Sequence, residues 1–311
     1  MKRVIGILLI FVLMFVFAAC GGDSGDSPVR TISPDETGTS SEQETPDSDS
    51  PDDVSTGEQV SSPEVTVEST FLLDQDGLKI TAKELIEDPI WGTGIAVLIE
   101  NDSDQNLGVQ CNSLIINNYM IPDVLFSSTV AAGKKANDTI YLSSPALEAA
   151  GINTISDIVI SFHVFDGDSY ETLFDTDEIE LRTSAYGTVE QPAMDDGREL
   201  FNQDGIRIIG KYVDEDSFWG AGILLFIENN YGENIMIQCD NMSINGFMVT
   251  PFFSSTVHDG RMALDEITIM SGDLEDNNIE RIEEIELVFN IIDPDTFQTL
   301  FETDPISFTI E

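Results

Sequence analysis

A chain of 311 residues has the length of two ordinary domains, and 41% hydrophobic residues suffice to build their cores. The 58 acidic side chains face only 13 basic ones, for a formal net charge of −45. Such a surface repels nucleic acid and anionic lipid headgroups and so argues against both as partners. It is compatible with cationic partners or divalent ions, although a soluble, self-repelling surface is the simpler reading.

The chain opens with a short basic start, Met1-Lys2-Arg3, and an apolar run from Val4 to Ala19 interrupted only by Gly6. That run is short for a spanning helix, which needs roughly 20 residues, and fits the apolar stretch of a secretory signal. It ends Phe17-Ala18-Ala19-Cys20-Gly21-Gly22. Small residues before a cysteine resemble the bacterial lipobox, with Phe17 standing where leucine is most often found. The resemblance implies a signal peptide over residues 1–19, cleaved before Cys20. The Cys20 thiol would then carry diacylglycerol, with acyl chains of the palmitate kind. The competing reading is an uncleaved N-terminal anchor with an incidental cysteine. Both readings tie the chain to the cell membrane and leave its bulk outside the cytoplasm.

Residues 20–68 follow as an acidic tether of Ser, Thr, Asp, Glu, Pro and Gly, of which Asp47-Ser48-Asp49-Ser50-Pro51-Asp52-Asp53 is typical. So little apolar surface cannot offset the entropy of ordering a chain, and disorder is expected. A flexible coil of this length reaches roughly 40 Å, more with self-repulsion, enough to lift folded units off a membrane.

From residue 69 onward one unit is written twice. Trp91-Gly92-Thr93-Gly94-Ile95-Ala96-Val97-Leu98-Ile99-Glu100-Asn101 returns as Trp219-Gly220-Ala221-Gly222-Ile223-Leu224-Leu225-Phe226-Ile227-Glu228-Asn229. The first copy spans 69–185, the second 199–311, and 186–198 is a linker containing Pro192 and Gly197. Gln75 to Ile80 and Gln203 to Ile208 alternate like half-buried strands. The apolar runs Ile95–Ile99 and Ile223–Ile227 read as central strands of a packed sheet. Trp91 and Trp219 are expected to cap one end of the core. Cys111 and Cys239 fall in phase with apolar neighbours and are expected to face inward.

Asn117 to Met120 and Asn245 to Met248 predict hairpin turns. Phe126 to Val130 recurs as Phe253 to Val257, with one residue lost near Pro122 or Pro251. A further strand is predicted from Asp138 to Leu142, paired with Asp265 to Ile269. Ser144 to Gly151 reads as a short helix with Ser144 as N-cap, and Ser271 to Asn278 is its counterpart. The closing pairs are Ile158 to Phe165 with Glu171 to Leu181, and Ile285 to Ile292 with Gln298 to Ile310.

The expected fold class is therefore all-β: two tandem antiparallel β-sandwiches, each with one short helix. The strands ending Ile99-Glu100-Asn101 and Ile227-Glu228-Asn229, the acidic turns and the late hairpins resemble the immunoglobulin-like modules of bacterial lipoproteins. That resemblance covers residues 69–311 and implies a fold and no particular activity.

Little in the chain carries catalytic chemistry. The two histidines do not recur: His163 aligns with Asn290 and His258 with Ala131, so both read as isolated side chains. No nucleophile elbow, phosphate loop or zinc-protease helix is present, which argues against an enzyme. Equivalent core cysteines in two sandwiches lie too far apart for a disulfide, so Cys111 and Cys239 are read as buried free thiols. The acidic turns at Asp166 and Asp168, and at Asp293 and Asp295, are the best calcium candidates. They offer too few ligands for a full shell of six to eight oxygens, and solvated turn residues explain them more simply. The function expected is envelope-anchored binding or adhesion toward an extracellular ligand, without a cofactor. The alternatives are a solvating spacer of the envelope, or an accessory or inhibitor-like protein recognising a basic partner.

Overall fold

The turn signals Asp76-Gly77 and Asp204-Gly205 sit at positive φ, where glycine carries no Cβ penalty, and each folds the alternating stretch before it into a hairpin. These hairpins begin the two copies in the computed structural model, which describes residues 29–33, 65–122, 124–191 and 194–310. The signal peptide and Cys20 lie outside the described residues.

One short strand, β1 (Val29–Thr31), precedes the copies. The first copy runs β2 (Thr70–Gln75), β3 (Leu78–Asp88), β4 (Gly92–Asn101), β5 (Leu107–Ile116), β6 (Tyr119–Met120) and β7 (Ser127–Val130). It continues with β8 (Lys135–Tyr141), α1 (Ser144–Ala149), β9 (Asp157–Asp166), β10 (Thr172–Asp175) and β11 (Ile179–Arg182). The second copy runs β12 (Arg198–Gln203), β13 (Ile206–Ser217), β14 (Gly220–Asn229), β15 (Ile235–Ile244), β16 (Phe247–Val249) and β17 (Pro251–Phe252). It ends with β18 (Ser254–Val257), β19 (Arg261–Met270), α2 (Ser271–Asp276), β20 (Glu284–Ile292), β21 (Thr299–Glu302) and β22 (Ile306–Thr309).

The protein is all-β, a β-sandwich architecture of antiparallel sheets with two short helices. In the first copy β2-β3-β4-β8 forms one sheet and β5, β6, β7, β9, β10 and β11 the other. The second copy repeats this with β12-β13-β14-β19 against β15, β16, β18, β20, β21 and β22. Side chains alternate across each strand. Ile95, Val97 and Ile99 are buried in one core, and Ile223, Leu225 and Ile227 in the other. The late partner strand is split in each copy, into β10 and β11 and into β21 and β22. The helix of the first copy starts at Ser144, one residue earlier than a Ser144 cap requires. Ser143 holds the cap position in a left-handed conformation, without a side-chain cap bond.

Two expectations change. Residues 20–68 are not uniformly without structure, because Val29–Thr31 pairs antiparallel with Tyr212–Asp214 of β13, and Val67 bridges to Thr183. Trp91 and Trp219 cap no core; they are 58% and 49% exposed. Asp88 explains the first of them, since its Oδ1 accepts the N–H groups of Ile90 and Trp91 at 2.8 and 2.9 Å. That tight turn throws both side chains outward.

The linker is pinned as well. Gln191 donates to the Ala150 carbonyl at 2.9 Å, and the buried Lys211 ammonium donates to the Asp196 carbonyl at 2.6 Å and to its carboxylate. The two copies then pack on one another. Ile209, Phe226 and Leu264, on the outer face of the second copy's sheet, join the core of the first. Tyr119 lies 6.3 Å from the Phe226 ring, and β6 pairs parallel with β19 at Met262 and Ala263. One twelve-stranded sheet therefore crosses both copies.

Candidate functional site: an aromatic rim and an inter-repeat cleft

The turn between β13 and β14 carries Phe218 and Trp219 in edge-to-face contact, their centroids 4.8 Å apart. Phe218 is 83% exposed. Gly220 follows at φ 145°, and a Cβ there would meet the Ile269 carbonyl oxygen at 2.3 Å. The close approach lets the Trp219 carbonyl accept the Ser271 N–H at 2.9 Å, fastening the turn to the end of β19. Strand β17 reaches the same end by pairing Pro251 and Phe252 with Ile269 and Thr268. The chain between β16 and β17 joins it through the Thr250 N–H, which donates to Asp273 of α2 at 2.7 Å. The β13–β14 turn and the short strands β16 and β17 thus stand at one end of the second copy, with Phe218, Trp219, Phe247, Met248 and Phe252 all exposed. In the first copy Ile90 and Trp91 are exposed in the same way, with Trp91 leaning on Tyr141 at 6.0 Å.

Between the copies lies a cleft of ≈ 640 Å³ whose lining includes Cys111, Ser113, Ser161, Glu178, His258 and Asp295. The Ser113 and Ser161 hydroxyls bond each other at 2.7 Å rather than a base. Cys111 is free but only half-buried, against the expectation of a buried thiol; it contacts the Ser113 carbonyl at 3.4 Å, and desolvation pushes its thiol up to about 12. Cys239 is buried and free, its thiol also pushed up to about 12, by burial and then by the neighbouring Asp240 charge. Neither thiol is a thiolate near neutral pH, and the thiolate is the nucleophilic form.

The histidines are not isolated. His163 Nδ1 meets Asp175 at 2.6 Å and stacks on Phe165. His258 Nδ1 meets Glu178 Oε1 at 2.8 Å, while Arg261 donates to Glu178 Oε2 at 3.0 Å and to Asn118 at 2.9 Å. Burial raises the Glu178 carboxyl, but the hydrogen bonds from His258 and Arg261 together outweigh it and hold the group below its ordinary value. The cluster closes one edge of the cleft and ties β19 and its preceding loop to the first copy.

The acidic turns use their carboxylates on their own backbone. Asp166 Oδ1 accepts from the N–H groups of Asp168 and Ser169, and Asp293 Oδ1 from those of Asp295 and Thr296. Asp168 in turn accepts from the Asn106 amide. Among the described residues no three His, Cys, Asp or Glu side chains converge as a metal site. The structure does not bring the two acidic turns together as one site.

The sequence reading missed the aromatic rim. Its signal was a bulky apolar residue directly before Trp, between acidic residues and a glycine, at both Ile90-Trp91 and Phe218-Trp219. Glycine and acid mark a turn, so an apolar pair inside it has no core to enter.

No family model and no curated protein matches this chain. Among solved structures it is similar to the YadV chaperone, at 12% identity and a TM-score of 0.21, over 70% of this chain and 91% of that one. A complex of the Salmonella enterica SafA pilin with the SafB chaperone gives 11% identity and 0.21, over 70% and 88%. A Bacteroides uniformis β-glucuronidase gives 10% and 0.21, over 75% of this chain and 26% of that one. Likenesses of this size fix neither a family nor an activity.

Proposed function

We propose that the protein is a membrane-anchored, extracytoplasmic binding protein without catalytic activity, lipid-modified at Cys20 and built on two tandem immunoglobulin-like modules. The observation that carries this reading is the aromatic rim of the second copy. Exposed aromatic and methionine side chains at one end of a sandwich are the composition of a binding surface, whereas singly scattered apolar residues are ordinary. The rest of this surface is acidic, so the rim is where a partner gains apolar contact without opposing the net charge. A purely solvating spacer needs no such rim. An accessory role toward a basic partner would instead use the acidic surface, and its binding would collapse as salt rises.

The test is capture from an envelope extract by the chain starting at Gly21, set against its Phe218→Ser/Trp219→Ser variant. A partner retained at physiological salt by the parent, and reduced at least roughly ten-fold in a variant of equal melting temperature, is the expected result, since exposed Trp anchors carry about 2 kcal/mol or more. Equal capture by both proteins sinks the rim reading. Retention that vanishes with salt replaces it with the basic-partner reading.

A further inference from the structure

Strand β13 is twelve residues long, and its outer edge has two occupants. Residues Ile206–Gly210 pair with the neighbouring β12, as the hairpin requires. Residues Tyr212–Asp214 pair instead with Val29–Thr31, brought from far along the chain in the register Val29↔Asp214, Arg30↔Val213, Thr31↔Tyr212. The Ile32 N–H extends the ladder by donating to the Lys211 carbonyl at 3.1 Å.

Arg30 and Ile32 point to one side of this strand, as residues two apart must, and each enters a shaped receptor. The Arg30 guanidinium donates to Glu215 Oε1 at 3.1 Å, to the Ile282 carbonyl at 2.6 Å and to the Ile310 carbonyl at 2.6 Å. Glu215 is itself held in place, because Oε1 also accepts the Ile282 N–H at 2.6 Å. Ile32 is completely buried in the core of the second copy. Its Cδ1 lies 2.9 Å from where a Cβ on Gly210 would stand. Val29 is exposed and Thr31 faces solvent, so the site reads two side chains and the backbone between them.

The internal repeat supplies a control. Along β3 of the first copy, β2 covers Leu78–Ala82, and among the described residues no strand covers the outer edge of Glu84–Asp88. Gly210 is replaced there by Ala82, whose methyl takes the space Ile32 needs. Glu215 is replaced by Glu87, which accepts from Thr93 Oγ1 at 2.7 Å and lies exposed. Among the described residues, the receptor exists in the second copy alone.

We propose that this edge is a peptide-recognition groove for an extended segment of the pattern Arg-x-aliphatic, and that Val29–Ser33 is its resident ligand, bound in cis and exchangeable. The main-chain ladder of β13 gives affinity, while Glu215 with two carbonyls selects the arginine and the vacancy at Gly210 selects the aliphatic side chain. Any outside segment of this pattern reaches the groove only by displacing the resident one, so the chain competes with its own ligand. The groove is built from other residues than the aromatic rim, so the inference stands or falls independently of it.

The test places a site-specific protease sequence between Pro34 and Glu64 of the chain starting at Gly21, cuts it, and follows the freed N-terminal piece. The piece is expected to stay with the body on gel filtration and to be chased off by excess synthetic peptide covering residues 27–35. Peptides carrying Arg30→Ala or Ile32→Asp should compete roughly ten- to a hundred-fold less well, the loss expected for a charge-assisted contact or a filled pocket. Gly210→Ala in the body should weaken peptide binding in the same direction while Phe218→Ser leaves it unchanged. Immediate separation of the piece, with no saturable binding of a fluorescent copy of the peptide, overturns the proposal. So does a piece that stays but that no excess of peptide displaces, which would make it a permanent strand of the fold.

Discussion

Asn101 and Asn229, which end the repeated central strands, are each fully buried. The Asn101 amide donates to the Gln105 and Val130 carbonyls, both at 2.8 Å, and its oxygen accepts from the N–H and hydroxyl of Ser103. Asn229 donates to Glu233 and Val257 carbonyls at 3.0 and 2.8 Å and accepts from the Tyr231 N–H. A side chain with two donors and an acceptor is needed to join the end of one sheet to the loop and strand of the other. Asn229→Ala should therefore cost about 2–3 kcal/mol, because it leaves buried carbonyls unpaired. Chemical denaturation would show it, and a loss under about 0.5 kcal/mol would mean that water replaces the amide at no cost. Their place in a turn was legible in the sequence; their burial was not, since asparagine after a strand usually faces solvent.

The hairpins at Asn117–Met120 and Asn245–Met248 are the same element in two circumstances. Asn117 and Asn245 both sit at positive φ, and both brace the chain just before β9 or β20, accepting from Ser156 N–H at 2.7 Å and from Glu283 N–H at 2.9 Å respectively. Beyond that they diverge. Tyr119 is 1% exposed beneath Phe226, whereas Phe247, at the same place in the repeat, is exposed. Tyr119→Ala should destabilise by about 3–5 kcal/mol, the cost of deleting a buried aromatic ring. It should also separate the unfolding of the two copies into distinct calorimetric transitions. Phe247→Ala should move stability by no more than about 0.5 kcal/mol. Equal effects of the two substitutions would mean that the docking contributes nothing. The signal for this divergence lay in the acceptor strands: Ile209, Phe226 and Leu264 of the second copy align with Thr81, Leu98 and Asn137 of the first.

At the scale of the molecule, the Glu178, His258 and Arg261 cluster gives the packing of the copies a dependence on pH. The folded Glu178 carboxyl lies below its ordinary 4.5. A group depressed in this way stabilises fully above its unfolded value, and the contribution is lost as pH falls through the folded one. The side chain is partly exposed, so the stabilisation is about 1 kcal/mol or less. The melting-temperature advantage of the parent over Glu178→Gln should be present above the ordinary carboxyl value of 4.5 and shrink as pH falls below it. A difference that does not change with pH would show that the carboxylate charge is not what holds the contact. The excess of acids elsewhere acts in the opposite sense, because protonating mutually repelling carboxylates relieves strain; the comparison with the variant isolates Glu178 from that background.

The sequence by itself determined the all-β class, the succession of strands along each copy and the position of most turns. Those features follow from local rules: period-two burial, Asp-Gly and Asn-Gly turns, and a repeat that states each of them twice. Tertiary structure alone decided where the unpaired edges and outer faces went. A tryptophan before a strand reads the same whether it caps a core or points to solvent, and an acidic turn with a self-capping Asp88 chose the second. An outer apolar face reads the same whether exposed or covered, and the second copy's lies under the first. Val29-Arg30-Thr31-Ile32 is too short and too polar in its surroundings to be read as a strand. It becomes one because β13 presents an unpaired ladder beside an arginine receptor and a glycine vacancy, which residues far along the chain supply.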